Sequence, residues 1–510
     1  MFTYDVVVSS IAATISDPFT LLMVFVGTFM GLTFGTLPGL TATMGIALMI
    51  PLTYSFSQVA AIGMLFGIYV GGIAGGAVAS ILINIPGTPN ALVTTFDGYP
   101  MAQQGRAAEA MGWAAIASFL GSLISWVVLV FFSSYLAQVC VSFSSPEYAA
   151  LALLGLSIVA SISEKNAMKS FIMLGLGLII SMIGQDPIYG ASRFTFGQTQ
   201  LLGGLPSTAL IIGLFSIPQV LNTCTEVNKQ RIGKISYKNF VPSPKKIWKA
   251  RMPILLSSII GTVIGIIPAV GGSAATFMAY DQVKRFSKDS DTFGKGNYKG
   301  IIASEASNNA VCGGAAVPLF TLGIPGDSVT AVLLGGLMIQ GLQPGPKLYT
   351  ENPSFVIGAF TTIFIATVFM VVIQLGAIKF FVRLLDVPNC YLVSGIIPIS
   401  LIGAFALRNN YMDVVLMLGI GILAYFLRRG KFPVAPCVLG IVLGTMFERE
   451  MRIAIRMSSG DWSTFFTRPV SCVIIIAAVL FFCYSMFCSI RTVILDYKTV
   501  ENELVAASEE

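Results

Sequence analysis

Pro253-Ile-Leu-Leu-Ser-Ser-Ile-Ile-Gly261-Thr-Val-Ile-Gly265-Ile-Ile-Pro268-Ala-Val-Gly271-Gly272-Ser273 opens an apolar stretch that runs on to Val283. Lys229, Arg231, Lys234, Lys238, Lys245, Lys246, Lys249 and Arg251 precede it, and Lys284, Arg285, Lys288, Lys295 and Lys299 follow it. Glycine and proline break the stretch near its middle, leaving two arms too short to cross about 30 Å of hydrocarbon. Basic flanks mark the cytoplasmic side, and here both flanks are basic. The stretch therefore reads as a re-entrant hairpin whose two ends face the cytoplasm, not as one kinked span.

A counterpart lies in the first half: Gly31-Leu-Thr-Phe-Gly35-Thr-Leu-Pro38-Gly39-Leu-Thr41-Ala-Thr43, in which Gly31, Gly35 and Pro38 align with Gly261, Gly265 and Pro268. No Lys or Arg occurs before Arg106, so the flanks of this hairpin carry no basic charge. That contrast is expected of an inverted repeat, with one hairpin opening to each side. A second pair of segments follows in the same order. Ala74–Val93 aligns without gaps on Gly313–Val332, matching at Gly75 and Gly314, at Ala77 and Ala316, and through Ile85-Pro86-Gly87 and Ile324-Pro325-Gly326.

The remaining composition supports the same reading. The chain has 510 residues, of which 55% are hydrophobic and 11% charged, against about a quarter charged in soluble domains. Long Leu, Ile, Val, Met and Ala runs indicate helices, which satisfy their own backbone hydrogen bonds in lipid. The expected fold class is an all-α polytopic membrane protein with about 10–12 transmembrane segments. It contains two inverted repeats, each with a re-entrant hairpin and a broken helix. Its parts are an N-terminal half over 1–224, a basic cytoplasmic linker over 225–252, a C-terminal half over 253–490 and a polar tail over 491–510. The first hydrophobic segment lacks a signal peptide's basic start and reads as retained. A net charge of +6 needs no nucleic acid, since basic cytoplasmic loops account for it.

Catalysis finds little support. The chain has no histidine, no phosphate-binding loop, no Gly-x-Ser-x-Gly elbow and no metal-ligand spacing among its eight cysteines. No cofactor is expected, and the energy for transport has to come from an ion gradient or another subunit. Helix breaks inside a membrane survive where they are buried in protein or line a watery cavity. The N–H groups that start each second half-helix suit a carboxylate. The candidate substrate-binding residues are thus Gly39, Thr41 and Thr43 with Gly271, Gly272 and Ser273 at the hairpins. At the Ile-Pro-Gly breaks they are Asn84, Pro86, Gly87, Thr88 and Asn90 with Pro325, Gly326, Asp327 and Ser328. Asp327 also suits an N-terminal cap. Beside the second break, Asn308 and Asn309 join this set, and Glu305 is the candidate for cation coupling, because an acid in an apolar span is costly unless it is satisfied or functional. Asp97, Arg106 and Glu109 read as part of a solvated loop.

These motifs resemble those of the large membrane subunit of the tripartite tricarboxylate transporters. The most specific are Gly35-Thr-Leu-Pro-Gly-Leu, Asn84-Ile-Pro-Gly-Thr-Pro followed by Asp97-Gly-Tyr-Pro-Met-Ala, Ala303-Ser-Glu-Ala-Ser-Asn-Asn-Ala, Thr321-Leu-Gly-Ile-Pro-Gly, and Phe447-Glu-Arg-Glu-Met-Arg leading to Ser459-Gly-Asp-Trp-Ser and Arg468-Pro. The chain departs from the usual pattern at Ala269, where Gly is common, and at Val270-Gly-Gly-Ser. The resemblance implies a secondary carrier in the bacterial inner membrane, fed by a periplasmic solute-binding protein and accompanied by a small four-helix membrane subunit. It implies cation-driven import of tricarboxylates or related organic acids, with sodium or protons as the coupling ion; an elevator-like movement of the repeat-containing core is our own mechanistic expectation. Membrane lipid is the remaining partner, and assembly into a homo-oligomer is left open. A stand-alone sodium-coupled carboxylate carrier and a channel are the rival readings.

Overall fold

In the computed structural model, the chain is cut into helices by the residues that the sequence marks as breaks. The described residues are 2–140, 143–159, 167–186, 190–225, 240–268, 271–387, 389–406, 408–483 and 486–487. Helix α1 (Tyr4–Ser16) ends at Asp17, which caps α2 (Pro18–Thr36) by accepting from the N–H of Phe19 at 3.1 Å and of Thr20 at 3.3 Å. Gly39, at φ 86°, turns the chain after α2 in a conformation that costs glycine little. Thr41 then caps α3 (Ala42–Thr53), its Oγ1 accepting from Met44 N at 3.2 Å. Helix α4 (Gln58–Ile83) stops at Asn84, which is left-handed at φ 56°. A single 3₁₀ turn over Pro89–Ala91 leads into α5 (Leu92–Met101), followed by the long α6 (Ala107–Cys140).

Next in the chain come α7 (Ser145–Val159), α8 (Ala167–Ser181), α9 (Ser207–Thr225) and α10 (Pro244–Lys249). The second repeat reproduces the first as α11 (Arg251–Ile266), α12 (Gly271–Phe286), α13 (Tyr298–Leu322) and α14 (Ser328–Ile339). Helices α11 and α12 have 16 residues each, about 24 Å at 1.5 Å per residue, so neither arm spans the hydrocarbon alone. Helix α13 ends at Gly323, φ 68°, the position aligned with Asn84. After α15 (Pro346–Glu351) follow α16 (Pro353–Gly376), α17 (Ile378–Leu384), α18 (Asn389–Ala406), α19 (Tyr411–Arg429), α20 (Ala435–Met457) and α21 (Thr464–Thr467). Among the described residues, five helices can cross a membrane by length and composition, and shorter apolar helices accompany them. The chain is thus an all-α polytopic membrane protein. Of the most apolar window in α4, 94% is buried, against 22% in α19, so α4 is an interior helix and α19 presents its side chains outward.

The duplication is legible in the packing. A Cβ at Gly31 would strike the backbone of Ile68, and one at Gly261 would strike Ser307; Gly75 meets Leu32 and Gly314 meets Thr262; Gly87 meets the carbonyl of Gly35 and Gly326 that of Gly265. Each contact in the first repeat recurs between the aligned residues of the second. The hairpins α2–α3 and α11–α12 therefore sit against α4 and α13 backbone to backbone, as small residues allow in membrane helices. Gly261→Val is expected to cost about 3 kcal/mol, since the obstructing atoms are main chain and cannot yield as a side-chain end would. A thermal melt of the detergent-solubilised variant checks this, and a melting temperature equal to wild type would contradict it.

Two compact units form. Met1–Val141 with Thr208–Tyr425 contains both repeats, and Ser142–Ser207 with Phe426–Glu510 forms the other. Each unit draws residues from both sides of the basic linker. In the second unit, Arg452 pairs with Asp186 and, at 2.9 Å, with Glu448; Arg193 pairs with Glu448 as well. Arg468 Nε lies 2.7 Å from Glu147 Oε1. These contacts account for Glu448 and Arg452 of the Phe447-Glu-Arg-Glu-Met-Arg motif, while its Arg449 and Glu450 lie 3.9 Å from each other. A cavity of about 450 Å³ in this unit is lined mainly by Leu156, Leu174, Leu178 and Met451. Lys229, Arg231, Lys234 and Lys238 of the linker, Ala269 and Val270, and the tail over 491–510 lie outside the described residues.

One expectation is corrected here. Asp97 is not part of a solvated loop but lies fully buried in α5. Its Oδ1 accepts from the N–H groups of Gly294, Gly296 and Asn297 at 2.9, 2.9 and 2.7 Å, and its Oδ2 accepts from Tyr280 Oη at 2.8 Å. The segment between α12 and α13 is thereby tied to α5. Arg106 does remain partly exposed, with a side-chain accessibility of 41%, and pairs with Glu109 at 2.9 Å.

Candidate functional site

Helix α13 carries Ser304, Glu305, Ser307, Asn308 and Asn309 in one run, and all five are completely buried. A polar run of this kind in an apolar bundle has to find partners. Glu305 is not at a helix start on the surface but in the second turn of α13, where its carboxylate accepts from Thr94 Oγ1 of α5 and, at 3.3 Å, from Ser118 Oγ of α6. The Thr94 and Ser304 hydroxyls lie 2.8 Å apart. No Lys or Arg pairs with Glu305 among the described residues. Hydroxyls alone do not offset the desolvation of an ionised carboxylate, so this group is stable either as the neutral acid or beside a bound cation.

Asn309 Nδ2 donates to the carbonyl of Val70 in α4 and to Ser122 Oγ in α6, both at 3.3 Å. Its Oδ1, both amide atoms of Asn308, Thr88 Oγ1 and Gln374 Oε1 are buried with no hydrogen-bond partner among the described residues. Buried polar groups are nearly always satisfied in folded proteins, so these unpaired donors and acceptors make α13 and the first break a candidate binding site.

The hairpin tip of the second repeat reaches the break of the first. Ser273 Oγ lies 3.0 Å from Asn90 Oδ1 and donates to it, and a Cβ at Gly272 would collide with the Asn90 amide. Gly271, at φ 79°, starts α12 immediately before them. Asp327 caps α14, its Oδ1 accepting from Thr330 N at 2.8 Å, while its Oδ2 accepts from Tyr69 Oη at 2.5 Å. Thr43 is buried in the first turn of α3, and Ser328 is half-buried at the start of α14. Gly87, Gly326 and Pro325 are buried in the breaks, with Pro86 half-buried. Asn84 is exposed at the end of α4, where its left-handed backbone turns the chain. Tyr69, Thr94, Ser118, Ser122 and Gln374 complete the polar cluster. Of these, only Tyr69 carried a usable sequence signal, because a tyrosine within a wholly apolar helix needs a partner for its hydroxyl.

Comparison with known proteins agrees with this architecture. The profile of the "Tripartite tricarboxylate transporter TctA family" matches residues 21–439. An "Uncharacterized 52.8 kDa protein in TAR-I ttuC' 3'region" of Agrobacterium vitis is 33% identical over 479 residues, covering 94% of this chain and 95% of that protein. An "Uncharacterized protein in TAR-II ttuC' 3'region" of the same organism is 35% identical over 211 residues, covering 41% of this chain and 87% of that protein. No solved structure matches. With the profile spanning both repeats and both pairs of breaks, the chain belongs to the tripartite tricarboxylate transporter TctA family, the large membrane subunit of these transporters.

Proposed function

We infer that this subunit imports tricarboxylates or related organic carboxylates across the bacterial inner membrane, driven by a sodium or proton gradient. The observation that carries the reading is a buried polar cluster: unpaired Thr88 at the cap before α5, and unpaired Asn308 on α13, one turn from the Glu305 carboxylate, which pairs with no Lys or Arg among the described residues. N-terminal helix ends and neutral donors suit an anionic substrate. The uncompensated acid suits a coupling cation or proton, taken up and released with each cycle. In this reading a periplasmic solute-binding protein delivers the acid, the small four-helix subunit accompanies the chain, and the repeat-containing core moves.

The test is uptake of radiolabelled citrate and a panel of di- and tricarboxylates into proteoliposomes, with and without a sodium gradient, a proton gradient and the cognate binding protein. Saturable uptake that needs both a gradient and the binding protein is expected. Uptake with sodium alone would replace this reading by a stand-alone carrier, and ionic current without saturable, cation-dependent uptake would replace it by a channel.

A further inference from the structure

The gap-free register that pairs Asn84 with Gly323 also pairs Thr88 with Asp327, Tyr69 with Asn308 and Val70 with Asn309. Val70 and Asn309 touch each other through the Asn309 Nδ2 to Val70 carbonyl bond. Contact between equivalent residues is the mark of a local pseudo-twofold axis. What α4 presents to position 327, α13 therefore presents to position 88.

The two ends of this relation are chemically unlike. At the second-repeat end, the wholly buried Tyr69 donates to the Asp327 carboxylate, which also accepts from the N–H and hydroxyl of Thr330 at 2.8 and 2.7 Å. A carboxylate thus sits on the N-terminus of α14, completed by one donor from the other repeat. At the first-repeat end the frame recurs without the acid. Thr88 occupies the cap position of the turn leading into α5, yet its side chain caps nothing, and its Oγ1 is buried and unpaired. Asn308, which the register pairs with Tyr69, is wholly buried with both amide atoms unpaired.

We propose that a carboxylate of the transported acid binds at the first-repeat end in the place that the Asp327 side chain fills at the second, accepting from Thr88 Oγ1 and Asn308 Nδ2. This assignment rests on the carboxylate-carrier reading. A carboxylate accepts from both buried donors at once, whereas a neutral group would leave them without a charged acceptor. The second-repeat end is correspondingly closed to a substrate carboxylate, because Asp327 already supplies the negative charge and would repel another. The two breaks are therefore not equal halves of one anion site. The first binds the substrate's acid, and the second carries a built-in copy of it.

Thr88→Asp gives the first repeat the carboxylate of the second, and Asn308→Asp introduces the charge isosterically. Binding of radiolabelled citrate and the same panel of acids to the purified protein is measured for the wild type, for both variants and for Thr88→Ser, alongside thermal melting. Both aspartate variants should melt lower than the wild type, since each buries a carboxylate, yet remain folded at the assay temperature and bind at least about 100-fold more weakly, as like-charge juxtaposition requires, while Thr88→Ser binds within a few fold. Carboxylate binding by the wild type that either folded aspartate variant leaves undiminished overturns this assignment alone. A wild type that binds none of the acids overturns the carboxylate reading and the assignment together.

Discussion

Glutamine at position 305 is expected to leave the protein folded and to reduce gradient-driven uptake by about 100-fold. The isosteric amide can keep a hydrogen bond to Thr94 and to Ser118, at 3.3 Å in the wild type, so packing around α13 is preserved. What it loses is the capacity to take up a proton or to neutralise a cation. Interactions with a charged group contribute about 1.5–3 kcal/mol, which sets a loss between one and two powers of ten for binding, and coupling fails outright if the ion no longer binds. Uptake assayed at fixed substrate with the gradient imposed and collapsed separates the two roles. Retention of the wild-type gradient dependence in Glu305→Gln would make Glu305 a structural residue.

The largest stability effect is expected at Asp97. Asp97→Ala leaves the N–H groups of Gly294, Gly296 and Asn297 and the hydroxyl of Tyr280 without their acceptor. Each buried donor left unpaired costs about 1–3 kcal/mol. Water entering at the loop satisfies some of them, so the net loss is about 3–5 kcal/mol. The effect should be a clear fall in melting temperature. The same carboxylate ties the segment between α12 and α13 to α5. An unchanged melting temperature would show that the turn holds its shape without the carboxylate.

Much of the fold could be read because membrane helices advertise their interruptions. Gly39, Asn84, Gly271 and Gly323 each adopt the left-handed backbone, and proline stands at or near every one of these turns. The duplicated close approaches, such as Gly87 on Gly35 and Gly326 on Gly265, follow from the same residues that aligned the two halves. The partition into compact units was not legible, because the second unit joins Ser142–Ser207 to Phe426–Glu510 across most of the chain, and no local pattern encodes that pairing.

The site divided in the same way. Polar residues gathered on α13 stood out against the apolar background, but their partners did not. Thr94, Ser118 and Ser122 are small hydroxyl residues of the kind that pack membrane helices anywhere. Tyr69 and Asp327 are 258 residues apart, and only the repeat register brings them into relation. Asp97 misled for a physical reason: an acid followed by Gly-Tyr-Pro has the composition of a solvated turn, while its actual neighbours are backbone amides, which leave no mark in the sequence.

The most direct measurement of the central claim is the structure of the protein in a lipid nanodisc with the acid that gives saturable uptake. The account predicts that acid at the first-repeat break, one carboxylate within hydrogen-bonding distance of Thr88 Oγ1 and Asn308 Nδ2, with α14 still capped by Asp327. The acid bound instead at the N-terminus of α14, or away from both breaks, would contradict it.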